Sequence, residues 1–340
     1  MTSIGTPLVW GLFALFVFVA LTVDFLVMRR QGAHKVSMVE AATWSVVWVV
    51  VSFIFVGWLW WHLGGTSADA ATQALANAKA LEFVTGYVIE KALAVDNVFV
   101  FLMLFTYFAV PDEFQKRVLI IGILGALALR AVLILVGAWI ISEFHWVLYL
   151  FGAFLVYTGF KMWRAAGEEP DLEANPALRW VRRHIRISPN YDGERFFTLV
   201  DGVRMATPLF VVIVLIGAVD VVFAVDSIPA IFAITLDPFI VLTSNVFAVL
   251  GLRAMYFLLA NVKDKFHLLP YGLALVLAFI GTKMLLIDIY KIPVVFSLLG
   301  TGVILGATMV LSVLRPAPGP TPNAYPFPPK RKDGPRNSAP

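Results

Sequence analysis

The feature that most constrains this chain is a series of nine apolar stretches, each roughly 20 residues long or longer. The hydrocarbon core of a bilayer is about 30 Å thick, and about 20 residues of apolar helix are needed to cross it. Apolar residues make up 60% of the 340 residues and charged residues only 14%, whereas soluble domains average about 45–50% and about 25%. We therefore predict an all-α fold, a polytopic transmembrane helix bundle of about nine spans. The predicted spans are residues 9–28, 42–62, 81–109, 118–141, 146–163, 208–235, 239–260, 268–289 and 293–314.

The segments between these spans alternate in their content of lysine and arginine. The basic ones are residues 29–35, 116–117, 164–204, 263–265 and 330–332. The only lysines or arginines in the intervening loops are Lys79 and Lys291. Because basic loops stay on the cytoplasmic side, we expect a multi-pass protein of the cytoplasmic (inner) membrane with its N-terminus outside and its C-terminus in the cytoplasm. The net charge of +4 follows from this pattern, so we expect the bilayer, and no nucleic acid, as a partner.

Several function classes are excluded or disfavoured by what the sequence lacks. With no cysteine, the chain can have no disulfide framework, thiolate metal site or thiol nucleophile. It contains no phosphate-binding loop of the Walker type and no His-Glu-x-x-His motif, which disfavours ATP-driven transport and metalloprotease activity. We expect no enzymatic activity and no bound cofactor.

An acidic motif occurs twice, once in span three and once in span six. The first copy is Glu90 followed by Asp96 and Asn97, and the second is Asp220 followed by Asp226 and Ser227. The spacing between the two acids is the same in both, and Ala-Val-Asp is identical.

Two further motifs recur in the same order. Spans four and seven share Leu-x-Leu-Arg-Ala, at Arg130 and Arg253, and spans five and eight share Gly-x-Lys-Met, at Lys161 and Lys283. Each copy has three spans, an odd number, so we predict a 3+3 inverted-topology repeat. Such repeats place substrate and ion sites at their interface near the bilayer midplane.

The repeat divides the chain into six segments. These are residues 1–80 (spans one and two and an outer loop), 81–164 (repeat A), 165–206 (a basic cytoplasmic linker), 207–289 (repeat B), 290–314 (span nine) and 315–340 (a disordered cytoplasmic tail). We predict one short amphipathic helix in the linker, near residues 178–187.

Charged side chains inside apolar helices are costly, about 2.5–3.5 kcal/mol each on insertion scales, and mark functional sites. One interpretation is structural, with Arg130 and Arg253 each pairing with one carboxylate. Four acids against two arginines leave a charge of −2, which suits a divalent cation or two protons. Lys161 and Lys283 are further candidates for charge pairing, although lysines near span ends tend to extend to the interface. The candidate metal ligands are Glu90, Asp96, Asn97, Asp220, Asp226 and Ser227.

Carboxylate, amide and hydroxyl oxygens favour Mg²⁺, Ca²⁺ or Mn²⁺ over copper or zinc. Met103, Met162 and Met284 could add a softer contact, although a methionine in a membrane helix is usually a packing residue. Pro229 removes a helical hydrogen bond, and a helix break there would turn Asp226 toward the other ligands.

One candidate site residue lies outside the repeat. Asp24, near the inner end of span one, has two interpretations: it guards a cytoplasmic entrance, or it lies at the interface beside Arg29 and Arg30.

At these motifs the sequence resembles the TerC/Alx family of integral membrane proteins, over residues 8–314. That family belongs with the LysE-like transporters and is associated with manganese efflux and, by name, with tellurium resistance. The resemblance implies export of Mn²⁺ across the cytoplasmic membrane, with the acids of spans three and six carrying the ion.

Three functions follow as hypotheses. The first is a secondary transporter that exports divalent metal ions, above all Mn²⁺ as transported substrate, in exchange for protons. The second is a LysE-like exporter of amino acids or another small solute, and the third is a non-transporting membrane scaffold. Stabilisation by metal ions would separate the first from the other two.

Overall fold

The computed structural model describes residues 3–31, 36–166, 176–200, 202–260, 267–290 and 292–315, without the side chains of residues 27–31 and of Asp96. Apart from Arg315, the predicted disordered tail therefore lies outside the described residues. Within these ranges the chain forms eleven helices and two strands. They are α1 (Pro7–Gln31), α2 (Met38–His62), α3 (Ala70–Tyr107), α4 (Asp112–Glu143), α5 (Val147–Ala165), α6 (Pro176–His184), β1 (Phe197–Val200), β2 (Val203–Ala206), α7 (Pro208–Phe232), α8 (Pro238–Leu250), α9 (Leu252–Ala260), α10 (Leu269–Leu285) and α11 (Val294–Leu314).

Each of the nine predicted spans coincides with a helix or, for α8 and α9, with a pair of helices. Five helices are long and apolar enough to cross a membrane, namely α1, α2, α4, α7 and α11. The pair α8 and α9 is bent by 42° at Gly251 and would be a sixth span if taken as one. The chain is thus a multi-pass membrane protein with five or six candidate spans in its described part, and the count of nine stays a prediction.

The longest helix, α3, begins well before the apolar stretch that predicted it. Asp69 is its N-cap, with a carboxylate oxygen that accepts a hydrogen bond from the Thr72 amide at 2.9 Å. A helix of 38 residues is about 57 Å long, which exceeds the thickness of the hydrocarbon core. The segment predicted as an outer loop is therefore helical from Ala70 onward.

Burial separates central helices from peripheral ones. Every residue of α8 from Phe239 to Leu250 is buried, and α8 packs against both α3 and α4. The helix α7 also contacts α3 and α4. In contrast, α1, α2 and α11 expose large apolar side chains, as expected for surfaces that face lipid. Examples are Leu8, Leu15, Phe18, Val46, Ile54, Phe296, Leu299 and Val303.

The helices α5 and α10 approach each other at glycines. A Cβ atom on Gly281 would lie 2.7 Å from the carbonyl oxygen of Gly152, and one on Gly159 would lie 2.7 Å from that of Ala274. Only residues without a side chain permit such close backbone contact in a membrane helix pair. The two contacts run in opposite chain directions, so the helices are antiparallel.

The linker between the halves contains more structure than the sequence suggested. The predicted short amphipathic helix is present as α6, with Leu178 and Val181 buried. The antiparallel hairpin of β1 and β2 was not predicted. Its signal is the Asp-Gly dipeptide at the turn, where Gly202 has a φ of +76°.

Candidate functional site

Three helices bring buried charges together in the centre of the bundle. Arg130 of α4 is 2% exposed, Glu90 of α3 is 0% exposed and Asp220 of α7 is 2% exposed. The guanidinium donates through Nη1 to Glu90 Oε1, and through Nη2 to Asp220 Oδ1 at 3.2 Å. Nη1 also lies 3.4 Å from the Ser227 hydroxyl. One arginine therefore links the first acids of the two repeated motifs.

Each of these carboxylates has one oxygen that accepts no hydrogen bond from the described part of the chain. Among the described residues, Glu90 Oε2 and Asp220 Oδ2 are buried and have no hydrogen-bond partner, and neither has Arg130 Nε. A buried polar atom without a partner is costly. Two carboxylates and one guanidinium leave a formal charge of −1, so this cluster favours a further positive charge or a proton.

A small cavity lies beside the cluster. It has about 20 Å³ of space for the centre of a water-sized sphere, which is room for roughly one water molecule or one metal ion. Its walls come from both halves of the chain, and they consist of Glu90, Leu93, Asn97, Arg130, Met162, Phe223, Asp226, Ser227 and Leu277.

The second acid of the span-six motif, Asp226, faces this cavity without a break in α7. The helix continues through Pro229 to Phe232, so the prediction of a helix break at Pro229 is wrong. Proline removes one backbone donor, but membrane helices tolerate this loss when neighbouring groups compensate. Asp226 is half-buried and accepts a hydrogen bond from Thr158 Oγ1 of α5 at 3.3 Å.

The four predicted cations have different surroundings. Arg253 pairs with Asp24 of α1 and with none of the repeat acids whose side chains are described, although its motif matches that of Arg130. The helices also differ here: α4 is continuous through Arg130, whereas the bend at Gly251 comes two residues before Arg253. Lys283 is buried and Lys161 is exposed. Neither lysine forms an ion pair within 4.0 Å of an acid in the described part of the chain.

Asp24 lies apart from the central cluster, and both interpretations of it stay predictions. Besides pairing with Arg253, it lines an open, mainly apolar groove together with Phe18, Leu21 and Ile123. It does not line the central cavity.

Asp96, the remaining predicted ligand, has a side chain outside the described part of the chain.

The predicted ligands whose side chains are described, a set without Asp96, do not by themselves form a complete metal centre. Within the described side chains, no three His, Asp or Glu residues are grouped closely enough to hold a metal ion. Arg130 occupies the position between Glu90 and Asp220. The guanidinium thus fills the place that a cation would take between these carboxylates.

Comparison with known proteins identifies the family. The model of the "Integral membrane protein TerC family" matches residues 75–317, a range that contains every site residue except Asp24. The chain belongs to the TerC family. No solved structure matches it.

Curated relatives of this TerC-family chain extend over nearly its whole length. Alx of Escherichia coli (strain K12), named for a proposed role as a membrane-bound redox modulator, is 52% identical over 314 residues, which cover 92% of this chain and 96% of Alx. An uncharacterized membrane protein of Myxococcus xanthus is 44% identical over 95% of this chain and 97% of its own length. Another, from Rickettsia bellii, is 36% identical over 90% and 97%.

Sequence reasoning missed two polar residues near the site of this TerC-family protein. Thr158, the partner of Asp226, lies three residues before the repeated lysine of α5. Lys91 directly follows Glu90, and its Nζ donates to the Ala248 carbonyl at 3.1 Å, next to the bend that ends α8. The only signal for Lys91 was a charged residue inside an apolar helix, which is itself a mark of function.

Proposed function

We propose that this protein is a secondary transporter that exports divalent metal ions, above all Mn²⁺, in exchange for protons. One observation supports the proposal most strongly. Glu90 and Asp220, from the two halves of the chain, meet at Arg130 deep in the bundle, and each has a buried oxygen that no described group contacts by a hydrogen bond. Stability does not require such a cluster, because buried ion pairs gain little over apolar packing.

The chemistry of the cavity favours a small, largely dehydrated cation. Its polar lining offers carboxylate, amide and hydroxyl oxygens from Glu90, Asp226, Asn97 and Ser227. Such donors suit Mn²⁺, Mg²⁺ and Ca²⁺. Mg²⁺ gives up its water shell reluctantly and Ca²⁺ takes six to eight oxygens, so a cavity with room for about one water fits Mn²⁺ better.

The charge balance suggests how transport is coupled. Glu90, Asp220 and Asp226 with Arg130 carry a formal charge of −2, which either one divalent ion or two protons neutralises. Buried neighbouring carboxylates readily hold protons. Exchange of one Mn²⁺ for two protons would leave the charge of the site the same in both states.

Helix contacts support the inverted repeat that alternating access requires. The motif lysines Lys161 and Lys283 are 122 residues apart, and the same offset relates Gly159 to Gly281 and Gly152 to Ala274. Gly152 contacts Gly281, and Gly159 contacts Ala274. Each contact thus repeats the other with the halves exchanged, as a pseudo-two-fold axis predicts.

The same proposal includes the topology. Nine spans, an N-terminus outside and a C-terminus in the cytoplasm follow from the alternating loop charges. In this orientation α6 and the hairpin lie on the cytoplasmic side of the inner membrane.

The name of the Alx relatives raises a redox role. This chain contains no cysteine, so it cannot act on redox state through a thiol or disulfide of its own. Control of a metal ion's concentration is compatible with an indirect effect on redox state.

The test is flux of ⁵⁴Mn²⁺ in proteoliposomes with an imposed pH gradient. We expect Glu90→Gln, Asp96→Asn, Asp220→Asn and Asp226→Asn each to reduce flux at least tenfold while the protein still inserts. Glu143→Gln, at the exposed end of α4, is the matched control and should transport normally. Wild-type flux in both Glu90→Gln and Asp226→Asn would refute the proposal, and so would amino-acid flux without Mn²⁺ flux.

A further inference from the structure

We propose that the Met162 thioether sets the ion selectivity of the central cavity, so that Mn²⁺ and softer divalent ions pass in preference to Mg²⁺ and Ca²⁺. The inference rests on the proposed function of this site and specifies its substrate class. It concerns a residue that lines the cavity but takes no part in the charge cluster.

The placement of Met162 is supported by its neighbour in the helix. Thr158 lies four residues earlier on α5, so both side chains project from one face of the helix. Thr158 donates to Asp226, and Met162 lines the cavity together with Asp226, Glu90 and Asn97. The same face of α5 therefore supplies an orienting hydroxyl to one carboxylate and a sulfur atom to the space in front of it.

The chemistry of the lining gives this sulfur a role. It is the one soft donor among the lining residues of the described cavity. Thioethers bind soft metal ions and contribute little to Mg²⁺ or Ca²⁺, which prefer oxygen. In a cavity with room for about one water, a hard ion cannot replace a missing oxygen ligand with solvent. Relative to a carbon side chain, the sulfur therefore raises the affinity for Cd²⁺ and Mn²⁺ and leaves that for Mg²⁺ and Ca²⁺ nearly unchanged.

The repeat provides a matched control. Met284 holds the same position in the second Gly-x-Lys-Met motif, but it is 1% exposed within the apolar core and is not among the lining residues of the cavity. Both methionines can be replaced by leucine with little change in volume, which apolar cores tolerate well.

The experiment measures ⁵⁴Mn²⁺ flux in proteoliposomes with increasing Ca²⁺, Mg²⁺ or Cd²⁺ as competitors. For Met162→Leu we expect the concentration of Ca²⁺ that halves Mn²⁺ flux to fall at least tenfold relative to wild type, and that of Cd²⁺ to rise. Met162→Ala, which removes the sulfur without a branched replacement, should give the same shift. Met284→Leu should keep the wild-type competition profile.

The outcomes separate this inference from the function on which it rests. Wild-type Mn²⁺ flux with an unchanged competition profile in Met162→Leu and Met162→Ala would overturn the selectivity role alone. An equal shift in Met284→Leu would also overturn it, because the cause would then be general repacking. No Mn²⁺ flux in wild type would overturn the proposed function and this inference together.

Discussion

Replacing Arg130 with leucine isolates the charge that holds the central carboxylates. The substitution removes the contacts to Glu90 and Asp220 and leaves both acids buried without a cation. Removing one partner of a buried ion pair typically costs about 3–5 kcal/mol. Because both contacts involve one guanidinium, their losses are coupled and should not be added. We therefore expect Arg130→Leu to lower the free energy of unfolding by about 3–5 kcal/mol in total, and not by that amount for each contact.

The assay is thermal unfolding of the purified protein in detergent. At about 2 °C per kcal/mol for a chain of this size, Arg130→Leu should lower the unfolding temperature by roughly 6–10 °C. Arg253→Leu is the comparison, because Arg253 has one pair, with Asp24, that is less buried, at 13% and 16% exposed, than the two pairs of Arg130.

Two further measurements test whether the unpaired charge causes the loss of stability in Arg130→Leu. Glu90→Gln in the Arg130→Leu background should recover part of the loss, since it removes one of the two orphaned charges. Mn²⁺ should raise the unfolding temperature of Arg130→Leu more than that of wild type, because the ion no longer competes with the guanidinium. An Arg130→Leu protein that unfolds within 2 °C of wild type, or no lower than Arg253→Leu, would refute the reasoning.

Two other predictions concern packing and pH. Gly281→Ala should destabilise the protein by about 1–3 kcal/mol or more, the usual cost of overpacking, because the new Cβ would meet the Gly152 backbone. Thermal unfolding measures this loss. Gly302→Ala, which meets nothing within 4 Å, should be neutral or stabilising. Tyr191 donates to the Phe108 carbonyl, and burial raises the pKa of Tyr191 to about 12. Because the folded state holds this proton more tightly, its contribution is complete below the unfolded pKa near 10 and is lost as pH rises to about 12. Unfolding temperatures measured between pH 9 and 11.5 should therefore fall more steeply for wild type than for Tyr191→Phe, and parallel profiles would contradict this.

The positions of the membrane helices could be read from the sequence, but their ends could not. Apolar runs mark helices whether they face lipid or are buried in the bundle, as α8 is, and each of the nine runs coincides with a helix or, for α8 and α9, with a pair. Hydropathy does not mark where the helix itself begins. The start of α3 at Ala70 depends on the capping carboxylate of Asp69, in a polar segment that the apolar pattern passes over.

The acids of the site could be predicted because charges inside apolar helices need partners. Their pairing could not, since it depends on tertiary geometry. Arg130 and Arg253 occur in nearly identical motifs, yet one bridges Glu90 and Asp220 and the other binds Asp24. The bend lies at Gly251, where α4 has Ala128. Glycine is the poorer helix former, but this one difference does not tell which acid each arginine contacts.

The most direct test of the central claim is equilibrium binding of ⁵⁴Mn²⁺ to the purified protein. If carboxylates from both halves share one ion, wild type should bind one Mn²⁺ per chain. Glu90→Gln and Asp226→Asn, one in each half, should then each abolish binding, while Glu143→Gln keeps it. Two ions per chain, with each variant losing only one, would contradict a shared site, as would undiminished binding in either variant.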